Sequence, residues 1–215
     1  MTHKKSDHYQ PLQGEYARLA DQYNQRWSHY IQASLHATLK RIDITPGQQV
    51  LDVGCGTGIL LAELATRQPQ ASYAGSDLSR EMLAIADEQL DGRIGLVQAA
   101  AEMLPFARAR FDLVVSTSMF HFVRQPDVAL REIRRVLKPG GHLLITDWSR
   151  DFLTSRLMNL YLRRVDQAHF HMYSAAELGA LISAGGFEKL STERYKIDWL
   201  WGLMTMTAVK PDAGA

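Results

Sequence analysis

The stretch Val50-Leu51-Asp52-Val53-Gly54-Cys55-Gly56-Thr57-Gly58 decides how the rest of the chain is read. Its first half is largely aliphatic and short, which predicts a buried strand over Gln49–Val53. Three glycines at alternate positions end that strand. Apolar residues at helical spacing then predict a helix over Ile59–Arg67. In an open α/β sheet, such a glycine turn between first strand and first helix is where the backbone approaches a nucleotide-like ligand most closely.

Outward from this turn, short apolar runs and helical patterns alternate. Strand Ser72–Asp77, helix Arg80–Gln89, strands Ile94–Ala99 and Phe111–Thr117, helix Asp127–Leu137 and strand His142–Asp147 read as successive βαβ units, hence a doubly wound α/β sheet. Lys138-Pro139-Gly140-Gly141 reads as a helix stop followed by a turn. Ser149 to Tyr173 then interrupts the pattern with an amphipathic helix, expected as a lid over the sheet edge. A helix over Ala175–Ala184, stopped by Gly185-Gly186, precedes two extended runs, Phe187–Ile197 and Trp199–Lys210. No helix separates these two, so they are expected to form a hairpin with an antiparallel last strand. Residues 1–45 read as a helical cap, with helices Gln13–Tyr23 and Trp27–Arg41 behind a polar tip. The expectation is one domain spanning 1–215.

Composition narrows the function classes. Hydrophobic residues make up 46% and charged residues 22%, as in an ordinary globular protein. Lys and Arg number 24 against 23 Asp and Glu, a net charge of +1, too little for the counterion release that drives nucleic-acid binding. Cys55 is the only cysteine, which excludes an intrachain disulfide and a cysteine-rich zinc site. The polar start and the lack of any run near the ~18 apolar residues of a membrane span lead to a cytoplasmic expectation, as monomer or homodimer.

The nature of the ligand follows from spacing and charge. A dinucleotide turn wants G-x-G-x-x-G, whereas here Ile59 stands where the third glycine belongs. Asp52 places a carboxylate just before the turn, where it would repel a pyrophosphate and favour an ammonium group. S-adenosylmethionine is a nucleoside ligand of that description. Asp77, ending the second strand, can accept hydrogen bonds from both ribose hydroxyls; the competing role, capping the next helix, suits Ser79 better. Leu78, Met82 and Met103 are candidate walls for adenine or plain core.

In this order, VLDVGCGTG, SDLS, AAAEMLPF, FDLVVSTSMFHF and LKPGGHLLITDW resemble the small-molecule class I methyltransferases akin to the ubiquinone and menaquinone C-methyltransferases, over roughly Tyr16 to Asp147. The resemblance implies a Rossmann-like seven-stranded sheet of order 3-2-1-4-5-7-6. It also implies that Gly54, Cys55 and Gly56 lie against the methionine moiety, that Ser116 offers its carbonyl to the ammonium, and that Ala101 and Glu102 hold adenine. Ala100 departs from the family, which usually has Asp there. Tyr16 and Tyr23 match aromatics that in relatives close over the cofactor.

Methyl transfer is an in-line displacement that mainly needs alignment and exclusion of water. A base helps when the acceptor is a hydroxyl or acidic carbon. His121, after the fourth strand, and Asp147, ending the fifth, are the candidates at the acceptor rim. His169 and His171 could descend from the lid. Phe120, Phe122, Trp148 and Phe152 suggest an apolar acceptor pocket or aromatic core. The run Ser116-Thr117-Ser118-Met119 differs from the Asn/Asp-Pro-Pro-aromatic run of amino-nitrogen methyltransferases, leaving a small organic acceptor. A nicotinamide oxidoreductase and a catalytically silent S-adenosylmethionine-binding regulator are the alternatives. The lid's apolar stripe with Arg156, Arg163 and Arg164 admits peripheral contact with a membrane.

Overall fold

The computed structural model describes residues 28–165 and 171–212. In chain order the elements are α1 (Ser28–Leu39), β1 (Gln49–Val53), α2 (Ile59–Arg67), β2 (Ser72–Asp77), α3 (Arg80–Gln89), β3 (Gly95–Gln98), β4 (Phe111–Thr117), a single 3-10 turn (Phe120–Phe122), α4 (Pro126–Val136), β5 (Leu137–Trp148), α5 (Leu153–Val165), α6 (Ala175–Ala184), β6 (Glu188–Lys196) and β7 (Gly202–Val209). The expected helix over Gln13–Tyr23 lies outside the described residues.

The seven strands form one sheet in the order β3-β2-β1-β4-β5-β7-β6. β1 to β5 pair in parallel, whereas β7 runs antiparallel to both β5 and β6. This is the Rossmann-like order implied by the resemblance, with the hairpin expected from the helix-free gap between the last two runs.

Alternation along the central strands explains why both faces are covered. Val50, Leu113, Val115 and Leu144 face one apolar cluster, which also takes in Leu39 from α1 and Leu60 and Leu64 from α2. The intervening Leu51, Val53, Val114, Leu143 and Ile145 face the other, with Leu130 and Ile133 from α4 and Leu178 and Ile182 from α6. Because successive strand residues point to opposite faces, helices on both sides demand continuous apolar runs. Cys55, Leu61, Leu83, Ala86 and Leu90 form a third cluster, joining α2 to α3.

One boundary differs from expectation. Lys138-Pro139-Gly140-Gly141 does not separate helix from strand; β5 begins at Leu137, paired with Phe111, and runs through these residues with a register shift. The N–H of Gly140 donates to the Lys210 carbonyl (2.9 Å), and the Lys210 N–H donates back to Gly141 (2.9 Å). A partner some seventy residues away converts a local turn signal into strand. Among the described residues no helix is long and apolar enough to cross a membrane.

Candidate active site

A cleft of about 1210 Å³, open mouth included, lies over the carboxyl ends of β1, β2 and β4 and beneath α1. Its floor is the glycine turn. The N–H groups of Gly54 and Cys55 both donate to the Ser76 carbonyl (2.7 and 3.0 Å), which pins the turn to β2. Gly54 has φ +77°, and a Cβ there would come within 2.2 Å of the Met119 side chain, so only glycine lets Met119 lie across the turn.

The chain brings two carboxylates together at this turn. Asp77 accepts from the Gly56 N–H at 2.8 Å on one oxygen and from the Ser79 N–H at 2.9 Å on the other. The Leu78 N–H donates as well, and the carboxylate keeps acceptor capacity for a cleft-side donor. Ser79 caps α3 by accepting from the Met82 N–H, as expected. Burial raises the Asp77 pKa, although hydrogen bonds from Ser79, Gly56 and Leu78 oppose the shift.

Asp52 lines the same cleft yet is almost wholly buried, and its Oδ1 has no hydrogen-bond partner. Burial first, and the charge of Asp77 second, push its pKa up to about 8. A buried carboxylate oxygen without a donor is costly, which is why the proton is retained up to that pH; ionising the group there calls for a positively charged or hydrogen-donating partner.

Of the expected cofactor residues, Asp52, Gly54, Cys55, Gly56, Asp77, Leu78, Met82, Ala101 and Glu102 all line this one cleft. Ser116 stands one step back within β4, fully buried, and the wall there is made by Thr117, Ser118 and Met119. Tyr16, Tyr23 and His169 lie outside the described residues. Met103 is corrected: it is 76% exposed and absent from the wall, because its N–H closes a turn onto Ala100 that carries it outward.

His121 and Asp147 were expected as separate residues at the rim. They instead form one buried pair, with His121 Nδ1 at 2.7 Å from one Asp147 oxygen and the His121 N–H donating to the other at 2.9 Å. Neither lines the cleft. The imidazole stacks on Trp148 (4.2 Å between centroids, 15° between planes) and lies against Phe122, which does line it. The His171 N–H donates to the His121 carbonyl. Among the described residues no cluster of three ligating side chains could hold a metal.

Sequence reading missed the roof. Tyr30, Ile31, Ser34 and Leu35 of α1 line the cleft at helical spacing. Tyr30 Oη sits 2.6 Å from Ser118 Oγ and accepts from the Trp148 indole N–H at 2.7 Å. Since Trp148 can only donate, the phenol oxygen must accept there. Ser118 is held at φ +54°, a left-handed conformation uncommon for non-glycine residues and shared with Asp91 and Ala109, which lie outside the cleft. The apolar and polar pairing on α1 was the available signal; the Ser118 contact spans 88 residues and had none.

Comparison with known proteins agrees with this geometry. Residues 51–145 match the family model described as a methyltransferase domain. The ubiquinone/menaquinone biosynthesis C-methyltransferase UbiE of Syntrophotalea carbinolica is 35% identical over 154 residues, covering 69% of this chain and 61% of that protein. Among solved structures, the protein in complex with the Trm112 methyltransferase activator of Haloferax volcanii superposes with TM-score 0.84 at 20% identity, over 94% of this chain and 99% of that one. Phosphoethanolamine N-methyltransferase 2 of Haemonchus contortus, in complex with S-adenosyl-L-methionine, gives TM-score 0.74 at 20% identity over 92% of this chain and 60% of that one. Fold and matched segment agree on a class: residues 51–145 match a methyltransferase domain, on a fold that these solved methyltransferases share. The chain spans about 61% of the length of the first UbiE relative.

Proposed function

We propose that this chain transfers a methyl group from S-adenosylmethionine to a small, partly apolar organic acceptor. The observation that carries the reading is the unpartnered, buried Oδ1 of Asp52 in a cleft whose turn is otherwise made of glycine backbone. A phosphate there would push the Asp52 pKa higher still, whereas an ammonium group would draw the proton off and pair with the carboxylate. The match of residues 51–145 to a methyltransferase domain supports the same choice.

In this reading Asp52 and the Gly54–Gly56 backbone hold the methionine end, with the Ser116 carbonyl behind them. Asp77 accepts from the ribose hydroxyls, and Leu78, Met82, Ala101 and Glu102 border the adenine. When bound, the cofactor supplies a methyl already activated on a positively charged sulfur. The protein's part is alignment and dryness: Ile31, Leu35, Met119, Phe122 and Val123 present apolar walls that keep water from the reacting atoms. The acceptor enters beside Met119 and Phe122. His121, fixed by Asp147 through Nδ1, takes the acceptor's proton where that acceptor is a hydroxyl or acidic carbon, with Phe122 and Trp148 as the screen that must part for it. The UbiE relatives are carbon methyltransferases by name, which directs the first search to phenol- and quinol-like acceptors.

Calorimetric titration with S-adenosylhomocysteine and with NAD tests the binding half. The homocysteine compound is expected to bind and NAD not; the reverse would sink the proposal. Transfer of labelled methyl from the cofactor into a metabolite extract tests the chemistry, and binding without any labelled product would mark a silent binder.

A further inference from the structure

The helix after β5 presents its apolar side outward. On α5, Leu153 is 72%, Leu157 63% and Leu160 54% exposed, while Ser155 and Asn159 are buried at 4% and 6%. The polar residues therefore face the body, and a leucine stripe at i, i+4 and i+7 faces solvent, the inverse of a surface helix in a globular protein. Contiguous exposed apolar surface of this kind marks a place of contact.

The stripe has a neighbour. Thr154 Oγ1 donates to the Leu200 carbonyl at 3.0 Å, and the Phe152 ring lies on the backbone of Gly202. Both contacts fasten the start of α5 to the loop between β6 and β7, whose Trp199 is 78% exposed. Three leucines and a tryptophan thus project from adjoining segments.

Charge then selects the occupant. The thirteen residues of α5 include Arg156, Arg163 and Arg164 and no acid. Lys196 stands beside the tryptophan, its ammonium donating to the Trp199 carbonyl at 2.9 Å. Among the described residues the nearby carboxylates are already engaged: Asp151 with the Ala175 N–H and Arg194, Asp198 with the N–H groups of Leu200 and Trp201. Leucine and tryptophan interleaved with arginine and lysine suit a negatively charged lipid surface, where indole and aliphatic groups enter the interface and cations meet phosphate.

We infer that α5 and the β6–β7 loop dock this chain onto anionic lipid. The inference concerns where the protein sits and is independent of which acceptor it methylates. Trp148 and Trp201 pack against each other (5.0 Å) and against Tyr30 of the cleft roof, so the docking surface and the active-site mouth share one aromatic joint.

Flotation of the full chain with vesicles tests this without any methyl transfer. The chain should float with vesicles of phosphatidylcholine mixed with phosphatidylglycerol, much less with phosphatidylcholine alone, and binding should weaken as salt screens the arginines. A variant carrying Leu153→Ser, Leu157→Ser and Leu160→Ser should partition roughly tenfold or more weakly, with its circular dichroism and S-adenosylhomocysteine binding unchanged. Trp199→Ala should lower partition with no change in fold, providing a second variant on a different segment. Absence of flotation with either vesicle, or partition unaffected in both variants, would overturn the inference. So would light scattering that shows a leucine-dependent dimer unable to bind vesicles, since the stripe would then serve a second copy.

Discussion

The carboxylate of Asp147 holds His121 at two points, its side chain through Nδ1 and its main chain through N–H, so the residue at the end of β5 sets both the position and the rotation of the imidazole after β4. A third bond, from the Trp148 N–H to Oδ1 at 2.7 Å, completes the cage. Asp147→Ala leaves these donors buried without an acceptor and is expected to cost on the order of 3 kcal/mol of stability, read as a lower urea midpoint. Asp147→Asn keeps the volume. On an identified acceptor it should lower kcat by roughly a hundredfold with little change in S-adenosylhomocysteine affinity. An unaltered kcat in both Asp147→Asn and His121→Asn would remove the pair from the chemistry and leave it a packing device.

Gly54→Ala strikes the turn itself. The substituent would have to occupy space held by Met119 on a backbone with φ +77°. A destabilisation of roughly 1–3 kcal/mol is expected, together with loss of cofactor-analogue binding by calorimetry. Wild-type affinity in this variant would show that the turn does not touch the ligand.

The raised pKa of Asp52 gives a pH dependence with a definite sign. Between the ordinary aspartate value and about 8, the folded protein carries a proton on Asp52 that the unfolded chain has lost. The Asp52 contribution to stability is thus fully present below the unfolded value and is lost as pH rises through about 8. Asp52→Asn should flatten that part of the profile in thermal melts. Binding of a cationic ligand needs the carboxylate ionised, so affinity should climb as pH rises toward about 8, with a proton released on binding. Calorimetry in buffers of different ionisation enthalpy reads that proton directly; no dependence on buffer below pH 8 would refute the linkage.

Tyr30→Phe removes the acceptor of the Trp148 indole N–H and the partner of Ser118 while leaving the ring in place. A loss of about 1–2 kcal/mol is expected, with a weakened grip of α1 on the cleft. The readout that separates this from plain destabilisation is hydrogen exchange confined to α1 and to residues 118–123. Uniform exchange across the sheet would contradict a local role.

What could be read from the chain beforehand was whatever local spacing dictates. The glycine turn, Asp77 and the N-cap Ser79 lie within thirty residues of one another, and their chemistry follows from strand, turn and helix alone. Outcomes decided by partners distant in sequence, or by a local backbone conformation that no residue type announces, were not legible. β5 starts early because Lys210 reaches back to Gly140 and Gly141. Met103 faces solvent because a turn onto Ala100 carries it there. In sequence His121 and Asp147 are two candidates 26 residues apart at the rim, and only the parallel pairing of β4 with β5 brings them together. Ser118 carries no mark in sequence of the left-handed backbone that lets its hydroxyl reach Tyr30.

The hairpin that closes the sheet has a bearing on how copies of the chain can meet. β6 is the outermost strand on its side, and five of its nine residues, Glu188, Lys189, Glu193, Arg194 and Lys196, are charged. The opposite margin, β3, is four residues long. A second copy that tried to continue the sheet would have to bring its own charged strand against β6 or find purchase on a stub. Among the described residues both margins thus carry the features, charge on one and shortness on the other, that disfavour sheet-to-sheet fusion between molecules.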